Sequence, residues 1–232
     1  MRTRRVSELN SRIAPAGDPA DADGTLPRRG RPRALVILRL LRVHHWTKNL
    51  LVFVPLLLAH RFTDAGRSRA AFLVFLSFSF AASAGYVVND LADLSHDRSH
   101  HSRRDRPLVA AEITPLQATL LVLPLVLASF ALALRLPRGT AAIVGLYFLL
   151  SCLYTFVIKR LVIADVLLLA GFYSLRLLAG GMATSIVVSH WLLAFSSFLF
   201  FSLALAKRTS DLMRAAERDE EAAVGVALLL SA

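Results

Sequence analysis

Long apolar runs separated by short polar loops dominate the sequence. A transmembrane helix needs about 20 mainly apolar residues. Six segments meet or approach that length: 49–60 with a basic amphipathic extension back to Ala34, 70–89, 116–134, 140–158, 161–182 and 190–206. A seventh run begins at Ala222 and holds about eleven residues, too few to cross a bilayer. The pattern predicts an all-α polytopic transmembrane bundle with six complete spans and a partial seventh. We expect the chain to be truncated at its C-terminus, and the alternative is a last helix that lies shallow in the membrane.

Residues 1–33 have a different pattern from the rest of the chain. They contain eight arginines together with prolines, glycines and aspartates, and no apolar periodicity. This composition predicts a disordered basic arm, followed by a single transmembrane transferase domain at 34–232. The arm is not a secretory signal peptide, because no apolar segment follows its first arginines within the first ~30 residues.

Composition agrees with a membrane protein and changes the meaning of the charge. Hydrophobic residues make up 56% of the chain and charged residues 19%, whereas soluble domains have roughly 45–50% and 25%. The formal net charge of +11 would indicate nucleic acid as the partner of a soluble protein. Basic loops against anionic membrane lipid explain it equally well. We therefore expect a membrane-lipid environment and no nucleic-acid partner.

The loop charges predict an orientation, because Lys and Arg accumulate on the cytoplasmic side of short loops. A cytoplasmic arm also places the loops 92–115 and 207–221 and the Lys159–Arg160 turn in the cytoplasm. The opposite face keeps five arginines: Arg61, Arg67, Arg69, Arg135 and Arg138. The bias predicts an integral membrane protein of the plasma or inner membrane with a cytoplasmic N-terminus and cytoplasmic active-site loops.

The second predicted span ends in a run of acidic side chains. Asn89, Asp93 and Asp97 are four residues apart, a spacing that places them on one face of a helix. Acidic groups at this spacing repel each other, and carboxylates near hydrocarbon are costly unless they are paired or bind metal. Mg²⁺ removes the conflict by binding one or two carboxylates, water and substrate phosphate. The motif, with Asp90 in support, predicts a magnesium site, and the alternative is a solvated helix end.

Basic side chains follow the acids and also precede the first apolar run. Arg103 and Arg106 lie in a cluster of three arginines, and guanidinium groups match phosphate oxygens two at a time. Positive-inside topology alone could also account for each of them. Lys48 and Asn49 are well placed to hold a lipid phosphate, although Lys48 alone could reach the head groups as an ordinary interfacial lysine.

The fifth predicted span contains two ionisable residues, Asp165 and Arg176. They share a helix face to within about 20° but are about 16 Å apart along the axis, so they cannot pair with each other. Ionisable groups inside a span are functional candidates, and each needs a partner in a substrate or another helix. Tyr154 and Lys159 precede Asp165. The glycines at 180 and 181 are more typical of close helix packing than of ligand contact.

The motif NDxxDxxxD at 89–97, with a second charged loop after the sixth span, resembles the UbiA superfamily of intramembrane prenyltransferases over Leu38–Glu221. The resemblance implies a helical bundle with Mg²⁺-bound diphosphate chemistry at the cytoplasmic face. Three further segments look closer to the decaprenyl-phosphate phosphoribosyltransferase branch: Trp46-x-Lys48-Asn49, the Asp165–Arg176 span with the glycines after it, and Lys207-Arg208. Aromatic prenyltransferases usually carry a second DxxxD motif, but here Asp211 is followed by Ala215.

The resemblance implies a transfer of a 5-phosphoribosyl group from phosphoribosyl diphosphate to a polyprenyl phosphate. The partners are then a polyprenyl lipid substrate and a diphosphate-bearing donor, while the oligomeric state is not indicated. The expected metal ligands are Asn89, Asp90, Asp93 and Asp97. The expected catalytic residues are Asp93, Asp97 and Asp165. The expected substrate-binding residues are Lys48, Asn49, Arg103, Arg106, Tyr154, Lys159, Arg176, Lys207 and Arg208.

Two other functions are compatible with the same residues. The first is prenyl transfer from a polyprenyl diphosphate to an aromatic or other small acceptor. The second is transport, because ionisable residues in a membrane also mark ion pathways. The acids disfavour transport because they crowd one surface loop instead of lining the midplane.

Overall fold

The computed structural model describes residues 31–99, 103–157 and 162–230, with the side chains of 162, 163, 165, 166, 211 and 215–230 left out. The predicted disordered arm therefore lies largely outside the described residues. The chain divides into two compact units between Leu35 and Val36, and both cavities described below lie in the second unit. The described residues form helices and no strand, which confirms the all-α expectation.

Eight α-helices and one 3₁₀ helix follow each other along the described chain: α1 (Arg33–Leu40), the 3₁₀ helix η1 (Val43–Phe53), α2 (Val54–Leu58), α3 (Ala65–Ala92), α4 (Leu94–Ser99), α5 (Pro115–Ala133), α6 (Thr140–Phe156), α7 (Val162–Thr184) and α8 (His190–Leu230). Four of them, α3, α5, α7 and α8, are long and apolar enough to cross a membrane. Helix α6 is also apolar but has 17 residues. The protein is an integral membrane protein.

The first predicted span is wrong as a single helix. Arg42 has a φ of 50°, a left-handed conformation that interrupts the helix between α1 and η1. The chain then continues as eleven residues of 3₁₀ helix before the short α2. The region 34–60 therefore consists of three helical elements, α1, η1 and α2. The middle element, η1, packs against α3 and α7.

The predicted loop at 207–221 is also wrong, because α8 runs through it without a break. The segment contains no Gly or Pro and is rich in Lys, Arg, Ala and Glu, which are good helix formers. The sixth predicted span and the start of the predicted seventh consequently belong to one helix in the structure.

Helix α3 is the centre of the bundle. In its most apolar 18-residue stretch 61% is buried, whereas the corresponding share in α8 is 6%. Small hydroxyl side chains account for its close packing. The Ser77 hydroxyl donates to the Ser129 carbonyl at 2.9 Å, and the Ser129 hydroxyl donates to the Ser77 carbonyl at 2.8 Å. This reciprocal pair joins α3 to α5 and satisfies both hydroxyl groups inside an apolar environment.

Glycine allows α7 to lie directly against η1. A Cβ atom at Gly180 would stand 2.0 Å from the Val52 carbonyl oxygen, a distance that no side chain can occupy. The expectation that the 180–181 pair serves helix packing is therefore confirmed for Gly180. The contact lies one helical turn after Arg176 and fixes how closely that residue approaches η1.

Candidate active site

A cavity of about 460 Å³ lies where the C-terminal end of α3 meets η1, α6, α7 and α8. Eight of the residues predicted from the sequence line it: Lys48, Asn89, Asp93, Arg103, Arg106, Tyr154, Arg176 and Lys207. They come from separate parts of the chain. The structure therefore brings together most of the residues that the sequence analysis had selected one motif at a time.

The cavity is strongly basic. Its lining includes six basic side chains, namely Arg42, Lys48, Arg103, Arg106, Arg176 and Lys207, and Asp93 is the one carboxylate among the described lining residues. Burial and then the nearby Lys48 lower the pKa of His45 to about 4, so its ring is neutral at pH 7. Burial, followed by the charges of Lys207 and Arg176, also lowers the pKa of Lys48. A bound anion would offset the electrostatic repulsion between cations that lie this close together.

Asp90 does not line this cavity but lies directly behind it. Its side chain is 4% exposed, and it accepts hydrogen bonds from Arg42 Nη2 at 2.5 Å and from Arg106 Nη1 at 3.3 Å. Arg42 also lies over the Tyr86 ring, 5.1 Å from its centroid. The carboxylate therefore holds two of the cavity's arginines in place.

Asp97 has the same relation to the arginines and is 1% exposed. One carboxylate oxygen accepts from Arg103 Nη1 at 2.5 Å, and the other accepts from Arg106 Nη1. Arg106 thus bridges Asp90 and Asp97. Both acids are neutralised by arginine, which is the arrangement that makes a buried carboxylate tolerable.

Asn89, Asp93 and Asp97 are linked by successive i, i+4 backbone hydrogen bonds of 3.0 and 2.8 Å, but their side chains have different surroundings. Helix α3 ends at Ala92, α4 begins at Leu94, and Asp93 occupies the turn between them. Asn89 and Asp93 line the cavity, whereas Asp97 is directed into the arginine pairs. Among the described residues no group of three or more His, Cys, Asp or Glu side chains is close enough to hold a metal ion. The two cavity-lining oxygen donors still fit Mg²⁺, which needs one or two protein carboxylates beside substrate phosphate and water.

Arg176 is a charged residue that is 4% exposed inside α7. Its Nε donates to Asn49 Oδ1 at 2.7 Å, its Nη1 to the Phe172 carbonyl at 2.6 Å and its Nη2 to the Tyr147 hydroxyl at 3.2 Å. The expected partner on another helical element is therefore present. Asn49 is not on the cavity wall: it is 1% exposed, and its Nδ2 donates to Ser79 Oγ at 3.1 Å, so it positions the guanidinium.

Three other predicted residues have no place on the cavity wall as described: one lies elsewhere, and two side chains lie outside the described residues. Arg208 is absent from the lining, and its buried Nε has no hydrogen-bond partner among the described residues. The Asp165 side chain and all of Lys159 lie outside the described residues. Their predicted roles stay predictions.

The sequence analysis missed several cavity residues, including Arg42, Tyr147 and Tyr173. Arg42 stands two residues before the His44-His45-Trp46 run, where a basic residue at a membrane interface is common. Tyr147 and Tyr173 sit in apolar runs, where an aromatic residue is usually core. Both rings in fact face Arg176, with centroids 5.0 and 5.5 Å from its Cζ atom. A phenolic residue in the same membrane span as an arginine is the signal that could have found Tyr173.

The fold and the cavity define an all-α integral membrane protein with a basic cavity at one end of its helices. The chain belongs to the UbiA prenyltransferase family, whose family model matches residues 50–229. The family expected from the NDxxDxxxD motif is thereby confirmed.

Similar proteins include an uncharacterized protein y4nM of Sinorhizobium fredii, 36% identical over 185 residues that cover 80% of this chain and 36% of that protein. A decaprenyl-phosphate phosphoribosyltransferase of Mycolicibacterium smegmatis is 31% identical over 198 residues, which cover 82% of this chain and 61% of that protein. The chain thus spans between about a third and three fifths of these two relatives.

A solved structure has the same fold. It is a UbiA homolog from Archaeoglobus fulgidus bound to DMAPP and Mg²⁺, with a TM-score of 0.66 and 24% sequence identity. The match covers 75% of this chain and 63% of that one.

Proposed function

We propose that this protein transfers a 5-phosphoribosyl group from phosphoribosyl diphosphate to a polyprenyl phosphate, with Mg²⁺ as cofactor. The observation that carries the proposal is the excess of basic groups around the cavity. Similarity to the phosphoribosyltransferase of M. smegmatis supports the same reaction.

The charge balance favours two phosphorylated substrates over one. Six basic side chains line the cavity, and even when Asp90 and Asp97 are counted with Asp93, three carboxylates face them among the described residues. A magnesium ion cancels most of the charge of the diphosphate it binds, so a single Mg²⁺–diphosphate leaves much of this excess unbalanced. A donor with a further 5-phosphate and an acceptor with its own phosphate supply the missing negative charge.

Each part of the cavity wall then has a task. Asn89 and Asp93 hold Mg²⁺ against the donor diphosphate, and the metal supplies charge stabilisation for the departing group. Arg103 and Arg106 bind donor phosphate oxygens, and Asp97 positions both arginines from behind through its two carboxylate oxygens. Arg176 binds a phosphate at the deep end of the cavity, where Asn49 keeps its guanidinium oriented.

The transfer itself needs no strong general base. The bond from ribosyl C1 to the diphosphate oxygen breaks, and a bond from C1 to an oxygen of the lipid phosphate forms. The lipid phosphate is already an anion at neutral pH and loses no proton in the step. Lys48 and Lys207 hold it at the mouth of the cavity, and fixed positive groups around departing negative charge lower the barrier.

The proposal includes a side of the membrane. Most basic loops lie on the face that carries the cavity, so the N-terminus and the site are assigned to the cytoplasm. A soluble, highly charged donor such as phosphoribosyl diphosphate would reach the site from that compartment. Cysteine labelling of intact cells tests this: a probe reacting at Gly66→Cys from the cytoplasm would contradict the orientation.

The deciding experiment supplies membranes that contain this chain with radiolabelled phosphoribosyl diphosphate, polyprenyl phosphate and Mg²⁺, and extracts the lipids. We expect a labelled lipid that disappears with chelator or without the acceptor. A parallel reaction contains a labelled polyprenyl diphosphate and 4-hydroxybenzoate. Product in that reaction alone would overturn the proposal in favour of prenyl transfer.

A further inference from the structure

A second cavity, of about 310 Å³, lies at the other end of α3. Its wall combines the first turns of α3, the connection between α5 and α6, and the end of α7. The lining residues include Arg67, Arg69, Leu73, Arg135 and Leu136. None of them belongs to the candidate active site, so the reaction proposed above assigns this cavity no role.

The two cavities are separated by about the thickness of a membrane. Arg69 and Asp93 lie at opposite ends of α3 and its C-cap, and about 24 residues of α-helix span about 36 Å. The hydrocarbon core of a bilayer is ~30 Å thick, and ~40–45 Å with the head groups. The second cavity therefore lies at the level of the lipid head groups on the face opposite the active site.

The second cavity is also basic. Arg67 is paired with Asp64, with 3.2 Å between Nε and Oδ2. Arg69 and Arg135 also line it, and within the described part of the chain neither has a carboxylate within 4.0 Å. Two arginines from different elements therefore line one cavity without an internal counter-ion among the described residues. A phosphate group is the anion whose oxygens suit this arrangement.

These arginines are exceptions to the charge bias of the chain. Five arginines fall on the face that is otherwise poor in basic residues, and three of them line this single cavity. Arg61 and Arg138 share the face but not the cavity. Because basic residues are unfavourable on that face for topology, their concentration at one cavity indicates a local ligand.

The surroundings of the cavity are those of a lipid site. Leu73 and Leu136 form part of its wall, and the neighbouring Phe72 and Leu134 are 52% and 73% exposed. Trp191, at the start of α8, is 85% exposed, as an interfacial tryptophan is. We propose that this cavity binds the phosphate of an anionic glycerophospholipid, with the acyl chains along the exposed apolar side chains beside it.

The test measures the thermal stability of the purified chain in detergent with added lipid. Phosphatidylglycerol at saturating concentration is expected to raise Tm by about 5 °C, and phosphatidylcholine by much less. Replacing both arginines, R69Q with R135Q, should abolish the difference between the lipids. The matched control, R61Q with R138Q, removes the same charge from the same face and should keep it.

Further measurements separate lipid binding at the cavity from a damaged fold and from a general response to anions. The variant R69K with R135K retains positive charge and should recover part of the phosphatidylglycerol effect, which distinguishes lost binding from misfolding. Inorganic phosphate at the same concentration should give no shift. Equal lipid effects in the two double Gln variants, or a phosphate effect as large as that of the lipid, would overturn the proposal.

Discussion

Four polar residues of the 89–97 motif divide into two pairs that occupy opposite positions in the structure. Asn89 and Asp93 line the cavity, whereas Asp90 and Asp97 lie behind it at 4% and 1% exposure, each in contact with two arginines. The first pair faces the cavity, and the second pair forms ion pairs with the protein's own arginines. Residues of one acidic motif therefore divide between the cavity wall and internal ion pairs with arginines.

The largest effect is expected for the pair that faces the cavity. Asp93→Asn removes the lining carboxylate, and we expect Mg²⁺-dependent turnover to fall by about 10²-fold or more, as for loss of one preorganised stabilising group. The matched control is Asp64→Asn at the other end of α3, which keeps a good N-cap and should keep activity. Lipid product formation measures both variants. Full activity in a well-folded Asp93→Asn variant would show that the metal assignment is wrong.

The pair behind the cavity should respond differently. Asp97→Asn leaves Arg103 and Arg106 without their shared counter-ion, so we expect stability and donor binding to suffer together. A loss of about 2 kcal/mol is reasonable for a partly exposed pair, equivalent to a Tm lower by roughly 4–8 °C. The KM for phosphoribosyl diphosphate should rise more than kcat falls. An unchanged Tm combined with a kcat as low as that of Asp93→Asn would instead make Asp97 a metal ligand.

Among the cations, Lys48 extends the comparison to the acceptor. Lys48→Ala should raise the KM for the lipid acceptor by several-fold and leave the KM for the donor nearly unchanged. Arg104→Ala is the control, because Arg104 is exposed and does not line the cavity. Equal effects on both substrates would place Lys48 in the donor site.

The same lysine predicts a pH dependence. Burial and neighbouring cations lower the pKa of Lys48, so its ammonium group loses its proton at a lower pH than an ordinary lysine. Acceptor binding should therefore weaken as pH rises through that lowered value. Lys48→Arg, which keeps its charge, should remove this alkaline loss from the pH profile of kcat/KM for the acceptor. Persistence of the loss in this variant would assign it to another group.

The smallest effect is expected at His96, which lies within the motif but belongs to neither pair. Its side chain is exposed on α4 and does not line the cavity. His96→Ala should change kcat/KM by less than about twofold. A loss comparable to that of Asp93→Asn would mean that His96 takes part in the site.

The sequence was sufficient to select the polar residues but not their directions. Acids, arginines and lysines at the ends of apolar runs are conspicuous because burial of charge is costly, and eight of the selected residues do line the cavity. Periodicity grouped Asp97 with Asn89 and Asp93, but its carboxylate is held by Arg103 and Arg106, which follow it in the chain. Asn49 was selected as a ligand contact, yet it binds Arg176, more than a hundred residues later. Such a pairing depends on tertiary packing that no local pattern contains.

Hydropathy likewise predicted spans better than their boundaries. Apolar composition identified α3, α5 and α7, but it carried no information on the left-handed Arg42 that divides the first run. The charged residues at 207–221 interrupt an apolar segment, and this pattern predicts a loop. Their helix propensity is high, and the long α8 continues through them.

Gly180 has a consequence that extends beyond packing. Lipid tails are as apolar as leucine, so membrane helices are drawn together by shape rather than by water, and their spacing is decided by the bulk at each contact. The hydrogen atom at Gly180 allows α7 to touch the Val52 carbonyl, and one turn away Arg176 reaches Asn49 at 2.7 Å. A methyl group at Gly180 would force the two elements apart and withdraw the guanidinium from its amide partner. The depth at which this protein carries its buried positive charge is therefore set by a residue with no side chain.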